Sequence, residues 1–144
     1  MFTLLAVNAT DVRNNFGGYI DQIVRSKPLF IKRSRDHIMG ISLEMAKELV
    51  SDVEFEMVQY TEGDGSVTLS LEGFDLVVNG EDIEVALDAM SRDLREYALE
   101  YYENMDFWGN DKQRRAQLKG ILRVLLAADD QELRKSFQCR IGRS

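Results

Sequence analysis

Residues 8–42 read NATDVRNNFGGYIDQIVRSKPLFIKRSRDHIMGIS, and this stretch decides the first half of the fold. Asn8 offers an N-cap, and Asp11, three residues on, stands where an acid can bond back to the cap and meet the positive end of the helix dipole. Val12, Phe16, Ile20 and Ile23 then recur at four, four and three residues, with Val24 alongside. That period predicts an amphipathic helix over 9–25. Gly17-Gly18 costs it about 1 kcal/mol per glycine relative to alanine, which points to close approach of another helix or to a locally loose one. Pro28 stops the pattern. Two apolar runs, Leu29 to Ile31 and Ile38 to Ile41, flank the polar and mostly basic Lys32-Arg33-Ser34-Arg35-Asp36-His37. They predict a hairpin. Ser42 then caps a short helix carrying Leu43, Ala46, Leu49 and Val50.

Working outward, Phe2 to Val7 fits a first strand. Beyond residue 53 the period changes. Glu54 to Met57 alternates, Glu62-Gly63-Asp64-Gly65 signals a turn, and Val67, Leu69 and Leu71 alternate with Ser66, Thr68 and Ser70. With a further strand over Phe74 to Val78, these predict a three-stranded antiparallel meander. Asn79-Gly80 is expected to open a long helix, with Asn79 and Asp82 at capping spacing. Its stripe is Ile83, Leu87, Met90, Leu94, Tyr97 and Tyr101, and it runs to about Asn104. Asn110 with Gln113 predicts a cap for a helix bearing Leu118, Ile121, Leu122 and Leu125. Asp129 with Glu132 starts a last short helix bearing Leu133 and Phe137. The fold class is α+β: a β-α-β-β-α module over 1–52, then an acidic unit over 53–144 made of the meander and its helices.

The chain has 144 residues, 44% of them apolar, enough for a real core. No run of 18 apolar residues exists, so no helix is expected to span a membrane. The N-terminus lacks the basic region of a secretory signal, and the single Cys139 cannot form an internal disulfide. A cytoplasmic protein is expected, with Cys139 in a frayed tail. Net charge is −7, which taken alone argues against nucleic acid, but the charge is blocked. Residues 1–50 carry 7 Lys/Arg against 5 Asp/Glu, residues 51–110 carry 2 against 16, and residues 111–144 carry 9 against 4. The middle block is either a solvated face or a face for a cationic partner.

Asn8–Ser42 resembles the antitoxins of the Phd/YefM (prevent-host-death) family over about the first 50 residues. The resemblance rests on Asn8 as the small polar cap residue, Val12-Arg13-Asn14, the Pro28-led strand ending in Arg33, and Ile38 to Glu44. Where the family commonly has a turn glycine, this chain has Ser34-Arg35-Asp36-His37. Residues 54–104, through LEGFDLVVNGEDIEVALDAM, are similar to the HicB-type antitoxin core. A typical Phd/YefM member ends instead in a disordered tail that folds on its toxin.

The resemblance implies a homodimer or higher homo-oligomer that binds operator DNA through its first module, represses its own operon, and neutralises a toxin through its C-terminal half. Arg13 and Arg33 map onto the family's DNA-contacting arginines. Asn14, Lys32 and Arg35 join them if the helix start and strand ends are adjacent. Phosphate contact supplies affinity and an arginine fork reads guanine edges. Tyr97 and Tyr101 lie on the helix stripe and are expected in the core. Tyr102, Phe107 and Trp108 are less easily all buried, and aromatics beside acids suit a basic partner such as a ribonuclease toxin. Met39, Met45, Met57 and Met90 are expected as core filler. His37, the only histidine, is expected as a turn residue. No metal, cofactor or catalytic group is expected, although carboxylates distant in sequence could still build an unrecognised site. The alternative to an antitoxin is a stand-alone transcriptional regulator whose second unit senses a ligand or dimerises.

Overall fold

The computed structural model describes residues 5–143. It divides into two compact units, one ending at Glu48 and one beginning at Leu49. The division falls a few residues before the expected 52/53. Val50 is buried and Val53 packs on the core of the second unit. Arg123 also donates to the Val50 carbonyl at 3.3 Å.

The first unit runs β1 (Val7–Asn8), α1 (Ala9–Asn14), α2 (Phe16–Arg25), β2 (Leu29–Arg33), β3 (Asp36–Gly40) and α3 (Leu43–Leu49), the last crossing the division by one residue. The sheet order is β1-β2-β3, with β1 parallel to β2 and β2 antiparallel to β3. Of the expected first strand, Phe2 to Leu4 lie outside the described residues, and the observed strand is Val7–Asn8.

The single helix expected over 9–25 is two helices broken at Asn15, whose φ of −141° and ψ of 50° are not helical. A Cβ on Gly18 would lie 2.7 Å from the Asn15 carboxamide, so Gly18 makes room for the side chain at the break. Gly17 has nothing within 4 Å of such a Cβ, so among the described residues the glycine pair does not receive another helix. Asn8 occupies the cap position of α1 without a side-chain cap bond.

The hairpin forms as expected, with Leu29 opposite Gly40 and Arg33 opposite Asp36. Its loop is only Ser34-Arg35. Two-residue hairpin loops need a positive φ, and Ser34 supplies it at +54°. His37 therefore sits within β3, opposite Lys32, rather than in the turn. The Ser42 hydroxyl accepts the Met45 N–H at 3.2 Å and caps α3.

The second unit starts with β4 (Phe55–Thr61), β5 (Val67–Leu71) and β6 (Leu76–Gly80). Then come α4 (Ile83–Glu103), α5 (Met105–Trp108), α6 (Lys112–Arg115), α7 (Leu118–Leu126), α8 (Asp130–Arg134) and β7 (Phe137–Ile141). The expected meander is present. Its third strand begins two residues later than expected, because Gly73 and Asp75 take positive φ and place Phe74 in the turn.

Asn79-Gly80 ends that strand instead of opening the helix. The Asn79 carboxamide donates across the sheet to the Ser66 and Thr68 hydroxyls, and Asp82 alone caps α4 by accepting the Val85 N–H at 2.9 Å. Likewise Asp111, not Asn110, caps α6. Asp129 accepts the Glu132 N–H at 2.8 Å, starting α8 as expected.

The short α5 was not expected, the one helix expected after Asn110 is split into α6 and α7, and a seventh strand was not expected either. Phe137 leaves α8 and opens β7, which lies parallel to β4 and completes a sheet of order β6-β5-β4-β7. Cys139 is thus an exposed strand residue, not part of a frayed tail. One face of the sheet buries Phe55, Met57, Leu69 and Leu71 against Met90, Leu94, Tyr101, Ile121 and Leu133. Tyr101 and the α4 stripe are core as expected, and so are Met57 and Met90. Met39 is exposed and Met45 half-buried. On α7 the buried residues are Gly120, Ile121 and Val124, with Leu118 and Leu122 towards solvent. Ion pairs from Arg134 to Glu84 and Asp88, and from Arg95 to Asp130, tie α8 to α4.

Candidate nucleic-acid and partner interfaces

In the first unit the parallel pairing of Asn8 with Lys32 sets the start of α1 beside the end of β2. Between them lies a cleft of about 470 Å³ lined by Asn8 to Asp11 and by Lys32, Arg33 and Ser34. Helix start and strand end are therefore adjacent, the condition on which convergence of the basic residues depends. Arg13 and Asn14 are exposed in the last turn of α1, outside this cleft. Arg35 is exposed at the tip of the hairpin.

Strand alternation separates the other two cations. Arg33 shares a face with Ile31 and Leu29 and pairs with Asp36 at 3.6 Å, both groups well exposed. Such a surface pair is worth little and yields readily to a phosphate. Lys32 points to the opposite face, opposite His37.

Only Val12 and Leu29 of the described residues up to Glu48 are fully buried apolar side chains. Along α2 the stripe splits. Ile23 turns inwards and its Cδ1 sits 3.1 Å from a Cβ built on Gly40. Phe16, Ile20 and Val24, at four-residue spacing, remain 61%, 37% and 64% exposed.

In the second unit Tyr102 is 64% and Phe107 77% exposed. Trp108 is different: its ring lies 5.7 Å from Tyr97 and 5.6 Å from Tyr101, with the Arg114 guanidinium 3.9 Å over it. It is half-buried and holds the turn after α4 against that helix. Leu99, one turn before Tyr102 on α4 and also exposed, was missed because it lies off the main stripe. Glu100, Glu103 and Asp106 are exposed around these side chains.

Beneath them the Tyr97 hydroxyl donates to Gln117 Oε1 at 2.5 Å, and Gln117 Nε2 donates to the Gly73 carbonyl at 2.6 Å. The Tyr101 hydroxyl donates to the Arg114 carbonyl at 2.6 Å, and burial pushes its pKa up. Both tyrosines fix the helix end instead of meeting solvent chemistry. No helix among the described residues is long and apolar enough to cross a membrane.

A family model for PHD-like proteins, described as antitoxin of toxin-antitoxin, RelE / RelB, TA system, matches residues 1–139. The chain belongs to this antitoxin family. The match runs through both units, so the antitoxin is one family member along almost its whole length. A crystal structure of the antitoxin part of a proposed toxin/antitoxin system from Syntrophomonas wolfei subsp. wolfei superposes with a TM-score of 0.91 at 33% identity. It covers 95% of this chain and 99% of that one. No curated protein matches the antitoxin. As an antitoxin of a toxin–antitoxin system, it has a toxin for its partner.

Proposed function

We propose that the antitoxin acts as a homodimer whose first unit is a Phd/YefM-like module that binds operator DNA and represses its own operon. The exposed line of Phe16, Ile20 and Val24 on α2 carries the dimer reading, and the exposed cations of α1 and the hairpin carry the DNA one. A unit that buries so little apolar surface of its own needs a second copy to hold its fold, and a two-fold doubles the number of exposed Arg13, Asn14, Lys32, Arg33 and Arg35 side chains offered to DNA. The second unit neutralises the toxin, a basic protein such as a ribonuclease, with Tyr102 and Phe107 as apolar anchors among carboxylates and Trp108 setting the turn that presents Phe107. The arrangement is one of binding, not catalysis, in a cytoplasmic setting.

Co-expression with the adjacent gene tests the toxin half: a small basic protein should stay bound at high salt. Gel shift on the antitoxin's own promoter tests the DNA half. Arg13→Ala and Arg33→Ala should each weaken the shift about tenfold or more and leave the toxin complex intact. Wild-type binding that ignores salt, or variants that bind as wild type, would count against it.

A further inference from the structure

We infer that the free edge of β7 is a self-association surface, on which a second copy of this chain adds its own β7 antiparallel across a two-fold centred on Cys139. Among the described residues β7 pairs only with β4, so its other edge carries no partner. The direction of its backbone groups follows from two bonds. The Phe55 N–H donates to the Ser136 carbonyl and the Gly142 N–H to the Gln59 carbonyl, each at 2.8 Å. In a parallel ladder alternate residues face the neighbouring strand. The bonds of Ser136 and Gly142 therefore put Gln138 and Arg140 towards β4. Phe137, Cys139 and Ile141 aim their N–H and carbonyl groups outward.

That edge is complementary to itself. Antiparallel pairing about Cys139 sets Cys139 opposite Cys139 of the second copy and Phe137 opposite Ile141 of the second copy, on one face. All three outward residues of each strand then exchange backbone hydrogen bonds. On the other face Gln138 meets Arg140 of the second copy, so no like charges oppose one another. Arg140 already pairs with Glu72 of its own chain. Ile141, 76% exposed, gains an apolar neighbour. A register slipped by one residue would turn these side chains to opposite faces. Unpaired strand edges are ordinarily blunted by charge, proline or a covering segment. Here the outward-bonding residues are apolar or a thiol, which fits pairing and not avoidance. The sequence reading missed the surface because it missed the strand.

Cys139 is the only thiol and reports the register directly. A hydrogen-bonded antiparallel pair holds its Cα atoms about 5.5 Å apart, within reach of a short bis-maleimide. The full chain treated with that reagent should give a covalent dimer whose yield follows the dimer fraction measured by sedimentation as the protein is diluted. Ile141→Lys, a change at an exposed position that keeps the thiol, should lower the yield about tenfold, because a lysine opposite Phe137 loses water without a counter-charge. No covalent dimer from the wild type, or equal yield from Ile141→Lys, overturns the inference. A dimer by mass that does not cross-link would leave association through α2 standing and remove this one.

Discussion

Phe16→Ala tests whether the exposed line on α2 is a dimer face. Phe16 is 61% exposed. Full burial of a phenylalanine is worth up to about 3 kcal/mol, so covering what remains exposed contributes roughly 2 kcal/mol per copy. Alanine keeps part of that surface, and a two-fold interface contains the residue twice. The loss is then about 3 kcal/mol per dimer, a dissociation constant raised roughly a hundredfold. Sedimentation equilibrium would measure it, in an Ile141→Lys background so that only the first unit associates. Because Phe16 packs little within its own copy, the melt of the second unit should not move. An unchanged dissociation constant would refute the reasoning, since the ring would then face solvent in the assembly too.

Gly120 receives the aromatic floor of the second unit: a Cβ there would lie 2.9 Å from Phe74 and 3.3 Å from Phe55. Gly120→Ala should therefore lower stability by about 1–3 kcal/mol, against the gain alanine normally gives a helix. Denaturant melts of the full chain would show a lower midpoint, and a raised one would mean that the rings yield freely. Tyr101 makes alkaline pH destabilising. Its folded pKa is raised by burial, while the unfolded phenol ionises near about 10. Stability is intact below that pH and is lost as pH rises from there through the raised folded value. Tyr101→Phe should flatten this loss, and an alkaline melt profile identical to wild type would argue against it.

The Val67-Leu69-Leu71 strand and the stripe of α4 were legible because each has a period set by its own backbone geometry and one apolar face, and the hairpin because two short apolar runs flank a polar turn. The resemblance over Asn8–Ser42 likewise lies in local order, and the match to the antitoxin family model runs over residues 1–139. Local signals misled where two chemistries share a sequence. Asn79-Gly80 reads as a helix opening, yet Ser66 and Thr68 across the sheet hold it in β6. The apolar spacing through Phe16 looks continuous, yet Asn15 folds its side chain over Gly18 and breaks the helix. Of the aromatic trio, only contact with Tyr97, Tyr101 and Arg114 separated Trp108 from the exposed Tyr102 and Phe107.

By itself the sequence determined the α+β character, the basic hairpin and the acidic face, since all three depend on neighbours a few residues apart. The tertiary structure decided the fate of Phe137 to Ile141. Leu133 and Phe137 sit four apart and suit a helix, while Phe137, Cys139 and Ile141 alternate and suit a strand. A pattern that satisfies both periods is settled only by what lies beside it, and β4, distant in the chain, offers a row of unpaired backbone groups that a strand can meet and a helix cannot.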